Sequence, residues 1–396
     1  MHAPRLEPSF AAALRELAGK VETPFYAYDL SAITAGAASY RRAFARGRVF
    51  YASKANPRMR LLRHLREQGL GLETVSLGEV LRGYAAGFEP GEVVFNGPVK
   101  TPAQLARLAQ AGAPVLVADS PADLERIAEY LPGADVLLRL NPDLPVDTHP
   151  HLATGRGDSQ FGVLPGDYPA VFERGRQLGL TMRGLHVHLG SQLNNPADFA
   201  ARLEVLGGLR PRLGPLEVLD LGGGFGLELD PAALAPAMFA VADDYQAELW
   251  VEPGRTMVAA AGVLVTRVWG EKQTRRRYLL LDGGMTALLR PALYGARHPV
   301  LPLYEAEETG VFDLAGPACE SGDVLARAVA LPRPQPGDAL AILAAGAYGS
   351  AMSMNYLDHP LPAEYAWTGT AWEVWRRPQP QEDVWRGEPT AAEYLE

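Results

Sequence analysis

Lys54 sits near the end of the run Val49-Phe50-Tyr51-Ala52-Ser53-Lys54-Ala55-Asn56-Pro57. Apolar, β-prone residues before it and Asn-Pro behind it set this lysine at the mouth of a strand. Burial there would disfavour the ammonium and leave a nucleophilic amine, as a Schiff base to a carbonyl compound requires. A lysine simply exposed at a strand end is the alternative. A second segment, His186-Val187-His188-Leu189-Gly190-Ser191, has two imidazoles on one side of a strand by period-two alternation, with His188 nearer the end. A flat ring there could stack on an aromatic ligand, and no tight His or Asp spacing marks a metal site. A third runs Leu219-Asp220-Leu221 into Gly222-Gly223-Gly224-Phe225-Gly226. Glycines directly after a strand free successive N–H groups to form an anion-binding nest, and neither the Walker A nor the dinucleotide spacing is present. The fourth, Val251-Glu252-Pro253-Gly254-Arg255, puts a carboxylate and a guanidinium on one rim.

An amine for an aldehyde, a face for a ring, a nest for a phosphate and an acid for a pyridine nitrogen are together the requirements of pyridoxal phosphate.

The elements that must position these groups alternate. Short apolar runs occur at Arg48 to Ala52, Gly71 to Val75, Val93 to Asn96, Pro114 to Ala118, Asp135 to Leu140, Gly184 to Leu189, Val218 to Leu221 and Leu249 to Glu252. Helix-like segments such as Thr101 to Ala111, Pro121 to Tyr130 and Asn195 to Leu206 separate them. Eight strands alternating with helices over roughly 210 residues predict a (β/α)8 TIM barrel, with an open doubly wound sheet as competitor. All four chemical segments then lie at carboxyl ends of strands, where such barrels carry their sites. Beyond about Val258 the texture becomes β-like, at Val263 to Trp269, Arg277 to Asp282, Ala326 to Ala330 and Asp338 to Leu343. The domains expected are an N-terminal segment 1–35 that joins the β domain, a cofactor-binding barrel 36–258 and a C-terminal β domain 259–396.

Composition narrows the class. The chain has 396 residues, 47% hydrophobic and 21% charged, with 37 basic against 46 acidic side chains for a net charge of −9. That balance argues against nucleic acid or an anionic membrane as partner. A single cysteine, Cys319, precludes an internal disulfide and suits a reducing compartment. Neither a signal peptide nor an apolar run of about 20 residues is present, so a cytoplasmic protein is expected.

Seven motifs carry a family resemblance: Tyr51-Ala-Ser-Lys54-Ala-Asn56, His186-Val-His188-Leu-Gly-Ser191, Gly222-Gly-Gly-Phe-Gly226, Glu252-Pro-Gly-Arg255, Arg290-Pro-Ala-Leu-Tyr294, Gly316-Pro-Ala-Cys319-Glu320-Ser-Gly-Asp323 and Gly346-Ala-Tyr348-Gly-Ser-Ala-Met. The chain resembles, over nearly its whole length, the fold-type III pyridoxal-phosphate decarboxylases of the alanine-racemase-like barrel superfamily, most closely the meso-diaminopimelate decarboxylase family. The resemblance implies a barrel plus a C-terminal β-barrel or β-sandwich domain that takes in a strand from about Pro24 to Asp29. It implies Lys54 as the Schiff-base lysine, His188 stacked on the ring and Glu252 paired with the pyridine nitrogen. It further implies that Ser191, Gly222, Gly223, Gly224, Gly254, Arg255 and Tyr348 help hold the cofactor. Arg255, Arg290 and Tyr294 would recognise a distal carboxylate, with Tyr348 beside the substrate, and Glu320 would take the distal ammonium. Cys319, the implied proton donor, would with Glu320 reach a partner's site in a homodimer. The implied reaction is the loss of CO2 from meso-2,6-diaminopimelate to give L-lysine, with no metal.

Three segments differ from the usual pattern: Glu73-Thr-Val-Ser76-Leu-Gly-Glu79, Asn96-Gly-Pro-Val-Lys100-Thr, and Asp158-Ser-Gln160-Phe-Gly162, where Gln replaces a usual Lys. They keep open a decarboxylase of another carboxylated amine, such as a siderophore, polyamine or carrier-bound intermediate. A racemase would need a second base, usually a tyrosine, where this chain has Cys319-Glu320. A non-catalytic cofactor-binding relative would be expected to lack the lysine or the cysteine.

Overall fold

The computed structural model describes residues 6–143, 159–188, 190 and 193–389. They form two compact units, Ile33–Val258 and the combination of Met1–Ala32 with Ala259–Glu396. A first strand, β1 (Phe25–Asp29), belongs to the second of these.

The unit Ile33–Val258 holds β2 (Arg48–Ala52), β3 (Gly71–Thr74), β4 (Val93–Phe95), β5 (Val115–Ala118), β6 (Asp135–Leu140), β7 (Thr181–Val187), β8 (Val218–Asp220) and β9 (Glu248–Val251). Each pairs in parallel with the next, and β9 returns to β2 through Arg48↔Trp250 and Val49↔Val251. That last ladder closes the barrel and excludes the open doubly wound sheet. Strand β7 starts three residues before the expected Gly184, because Thr181 and Met182 pair with Asp135 and Val136 despite the polar residues in the segment. Helix starts follow local chemistry. Thr101 accepts from the Gln104 N–H ahead of Pro102–Ala111, and Ser120 accepts from the Asp123 N–H ahead of Pro121–Tyr130, each with proline in the first turn. These helices bury Leu105 and Leu108, and Leu124 and Ile127, at helical spacing.

Inside the barrel, Phe50, Val94, Val115, Val117, Leu137, Val218 and Trp250 form one buried cluster. Strand alternation repeats the same side two residues on. Val94 is thus followed by Asn96, Leu137 by Arg139, Val218 by Asp220 and Trp250 by Glu252, all of them buried. A polar layer therefore sits on an apolar floor at the carboxyl end. Lys100 stabilises the loop after β4: fully buried, its Nζ donates to Gly97 O and Val117 O at 2.6 Å and to Asp123 Oδ2 at 2.8 Å, which uses all three ammonium protons.

The second unit adds β10 (Gly262–Gln273), β11 (Arg277–Leu281), β12 (Val300–Pro302), β13 (Thr309–Ala315), β14 (Val324–Pro332), β15 (Ala339–Ile342), β16 (Ala363–Trp367) and β17 (Trp372–Arg376). The order is β14-β13-β11-β10-β1-β16-β17, with β15 joining β10 to β12. As the resemblance implied, the N-terminal strand lies in this sheet, antiparallel to β10 and parallel to β16. Phe10, Leu14 and Leu17 of the helix Pro8–Ala18 cover Phe25, Ala27, Val263, Val265, Ala339 and Ala341. Strands β13, β16 and β17 were not evident in the sequence because charges interrupt them. Glu364 in β16 is tolerated fully buried because the Tyr28 hydroxyl donates to it at 2.6 Å and Arg376 pairs with it at 3.1 Å. No helix among the described residues is long and apolar enough to cross a membrane.

Candidate active site

Lys54 lies in the turn Ser53–Ala55 directly after β2, its side chain 34% exposed and its Nζ 2.6 Å from Glu73 Oε2. The partner is set by sheet register, since Ala52 pairs with Glu73 across β2 and β3. Glu73 is fully buried, and burial, reinforced by the charge of Glu252, pushes its carboxyl up to about 7 against the pull of Lys54. Its folded value exceeds the ordinary 4.5, so it favours the fold most below pH 4.5 and that contribution is lost as pH rises through about 7. Glu73→Gln should therefore remove a decline in stability over that window of at most ~3 kcal/mol. Urea unfolding of parent and variant at either end of the window measures it, and identical pH slopes would count against the assignment.

The turns that carry the other groups are fitted to this corner. Gly254 follows Glu252-Pro253, and a Cβ there would meet Ala52 Cβ at 2.9 Å, while Ala52 N–H donates to Pro253 O at 3.1 Å. Gly222 has φ +64°, and a side chain on Gly223 would meet Glu252 O at 2.5 Å. His188 is half-buried just past β7, with its Nδ1 3.4 Å from Gly223 N. Burial first, then the charges of Lys54 and Arg139, hold His188 well below the usual histidine range, so it is neutral. Arg255 is half-buried and opens the short helix Arg255–Val258. Ser191 lies outside the described residues. Lys54, His188, Gly222, Gly223, Gly224, Glu252, Gly254 and Arg255 thus all fall at the carboxyl end of one barrel.

Behind them lie groups that the sequence did not single out for a role. His186 is fully buried, its Nε2 2.9 Å from Asn96 Nδ2 and 3.4 Å from Glu252 Oε2. No tight spacing had linked His186 to other ligand types, yet one atom each of His186, Asp220 and Glu252 lies within 4.8 Å of the others. Arg139 pairs with Asp119 at 3.5 Å and stacks its guanidinium 4.4 Å from the Phe161 ring. The available signal was the two-residue step from apolar floor to polar layer.

The remaining candidates lie in the second unit. Arg290 is buried and approaches His298 Nε2 at 3.1 Å, while His298 Nδ1 lies 2.9 Å from Leu343 O. The carbonyl can only accept, so His298 carries its proton on Nδ1 and accepts from Arg290, which fixes a guanidinium the sequence had placed in a recognition role. Tyr294 ends the same short helix, half-buried. Cys319 is exposed and Glu320 Oε1 accepts from the Tyr356 hydroxyl at 2.6 Å. The loop that carries both is held by buried Asp323, which accepts from Met285 N–H at 2.6 Å and Ala318 N–H at 2.8 Å. Any side chain at Gly284 or Gly316 would collide with that carboxylate. Tyr348 is half-buried with φ +56°.

Comparison with known proteins accords with this arrangement. The family described as "Pyridoxal-dependent decarboxylase, pyridoxal binding domain" matches residues 30–259. A diaminopimelate decarboxylase of Deinococcus radiodurans is 46% identical over 95% of this chain and 98% of its own. This chain belongs to the pyridoxal-dependent decarboxylases. Another diaminopimelate decarboxylase, from Zymomonas mobilis, is 33% identical over 95% of this chain and 94% of its own. The crystal structure of diaminopimelate decarboxylase from Helicobacter pylori complexed with L-lysine superposes with a TM-score of 0.90 at 31% identity, covering 95% of this chain and 99% of that one.

Pyridoxal phosphate is the cofactor of this decarboxylase family, and the barrel's residues suit it. The turn at Gly222 and Gly223 admits no side chain, since a Cβ there would meet Val187 O at 2.8 Å and Glu252 O at 2.5 Å, a half-exposed amine stands at Lys54, and a buried carboxylate stands at Glu252.

Proposed function

We propose that this protein is a carboxy-lyase that converts meso-2,6-diaminopimelate to L-lysine and CO2. The observation that carries the chemistry is the half-exposed Lys54 amine, held 2.6 Å from a fully buried carboxylate at the barrel end that also bears the glycine turn and Glu252. The substrate is supported by the 46% identity, over nearly the full length of both chains, to a diaminopimelate decarboxylase.

Bound there, pyridoxal phosphate supplies an aldehyde that captures amines and a ring that draws electrons from the bond to the departing carboxylate. Lys54 would supply the amine that holds the cofactor's aldehyde between turnovers. Glu252 would hold the proton on the ring nitrogen, and His188 would cover one ring face as a neutral imidazole. Gly222, Gly223, Gly224, Gly254, Ser191, Arg255 and Tyr348 would bind the phosphate and its surroundings. Arg255, Arg290 and Tyr294 suit a distal carboxylate, with Tyr348 alongside, and Glu320 suits a distal ammonium. The bond from Cα to the carboxylate breaks, CO2 leaves, and Cα gains one proton, which Cys319 would deliver.

Purified protein mixed with pyridoxal phosphate and meso-diaminopimelate should release CO2 and lysine in equal amounts. Silence with that substrate but turnover with another carboxylated amine would select the alternative kept open by Gln160, Glu73 and the Asn96–Lys100 segment.

The homodimer, with Cys319 and Glu320 serving the partner's site, is part of the same proposal. Cys319→Ala should lower kcat by about 10²-fold while cofactor affinity changes little. Mixing inactive Lys54→Ala and Cys319→Ala proteins should then restore roughly a quarter of parental activity, since half the dimers would be mixed and each would hold one complete site. No recovery after subunit exchange would place both residues in one subunit's site.

A further inference from the structure

Asp220 is the last residue of β8, fully buried, and its Oδ1 accepts from Gly222 N–H at 2.9 Å. Its Oδ2 has no partner. Glu252, 2% exposed, follows the neighbouring strand β9, and its Oε1 also has no partner. Together with His186, one atom of each of these groups lies within 4.8 Å of the others. Two carboxyl groups from adjacent strands therefore approach each other away from water, each with one oxygen unclaimed.

The groups around them do not resolve this. Arg139 of β6 is engaged with Asp119 and Phe161, Lys54 with Glu73 of β3, and the Asn96 amide with His186 of β7. Burial first, then Arg139 and Lys54, keep His186 neutral. Two ionised carboxylates so placed would repel and leave lone pairs unsatisfied, whereas one proton between them removes both penalties.

We propose that Asp220 is a positioning residue that retains a proton and donates it in a hydrogen bond to Glu252, keeping Glu252 ionised and fixed in orientation. The role toward the cofactor rests on Glu252 facing the ring nitrogen; the shared proton does not. Burial first, then the charge of Glu252, push the Asp220 carboxyl well above the ordinary range, and the hydrogen bond from Asp220 opposes the upward effect of burial on Glu252. Asp220 also ties Glu252 to the glycine turn, because its other oxygen holds Gly222 N–H.

Asparagine reproduces a protonated aspartate here, with Oδ1 toward Gly222 and an amide donor toward Glu252; valine keeps the shape and loses the donor. Infrared spectra of cofactor-free protein at about pH 9, where Glu73 with its value of about 7 is ionised, should show a carboxylic-acid band that Asp220→Asn removes. Cofactor affinity, read from visible absorbance, should weaken about 3-fold in Asp220→Asn and about 10- to 100-fold in Asp220→Val. An unchanged infrared band, equal damage from Asn and Val, or a stoichiometric divalent metal that a chelator removes together with cofactor affinity would each overturn the proposal. If the parent protein takes up no cofactor, the proposed function fails while the infrared comparison still decides the proton.

Discussion

Lys54→Ala is expected to leave a folded protein that never develops the visible absorbance of the cofactor joined to an enzyme amine, and decarboxylation should fall about 10³-fold or more. The side chain is 34% exposed, so truncation costs little packing. It does leave Glu73 without the cation 2.6 Å away in a fully buried position. That carboxyl already stands near neutrality at about 7, so in the variant it should take up a proton instead of remaining as a buried charge. Added primary amines should recover part of the lost rate if the missing group is only the amine. Retention of the absorbance band would remove Lys54 from its role.

Glu252→Gln should lower kcat by about 10²- to 10³-fold with a smaller loss of cofactor affinity. The amide keeps the shape but carries no charge, so the proton that Glu252 is proposed to hold on the ring nitrogen would lose its counter-ion in a buried site. Glu252 Oε2 faces His186 Nε2 at 3.4 Å, and burial holds that imidazole neutral, so His186 cannot replace the missing charge. Full kcat in the variant would show that another group holds that proton. The two substitutions thus separate the supply of the amine from the stabilisation of the charge that develops as CO2 leaves.

Among the residues that hold this site, Glu73 shows how far a sequence can be read. Its position on an apolar strand was visible, and a glutamate in the run Glu73-Thr-Val-Ser76 marked a difference from related chains. Its pairing with Lys54, 19 residues away in the chain, was not visible, because it arises from the register Ala52↔Glu73 between two strands. Asp220 likewise reads as one polar residue between two leucines until β8 and β9 lie side by side.

The sequence alone determined the alternation of strands and helices, the four motifs at strand ends and the family, because hydrophobic period, glycine after a strand and proline at a helix start are local properties of the chain. Closure of the barrel by β9 on β2 depended on the tertiary structure, as did the union of β1 with β10 and β16 and the meeting of Glu73, Arg139, His186, Asp220 and Glu252 in one buried layer. These depend on register and long-range pairing, and the protonation of a buried carboxyl depends on which charges those pairings bring beside it.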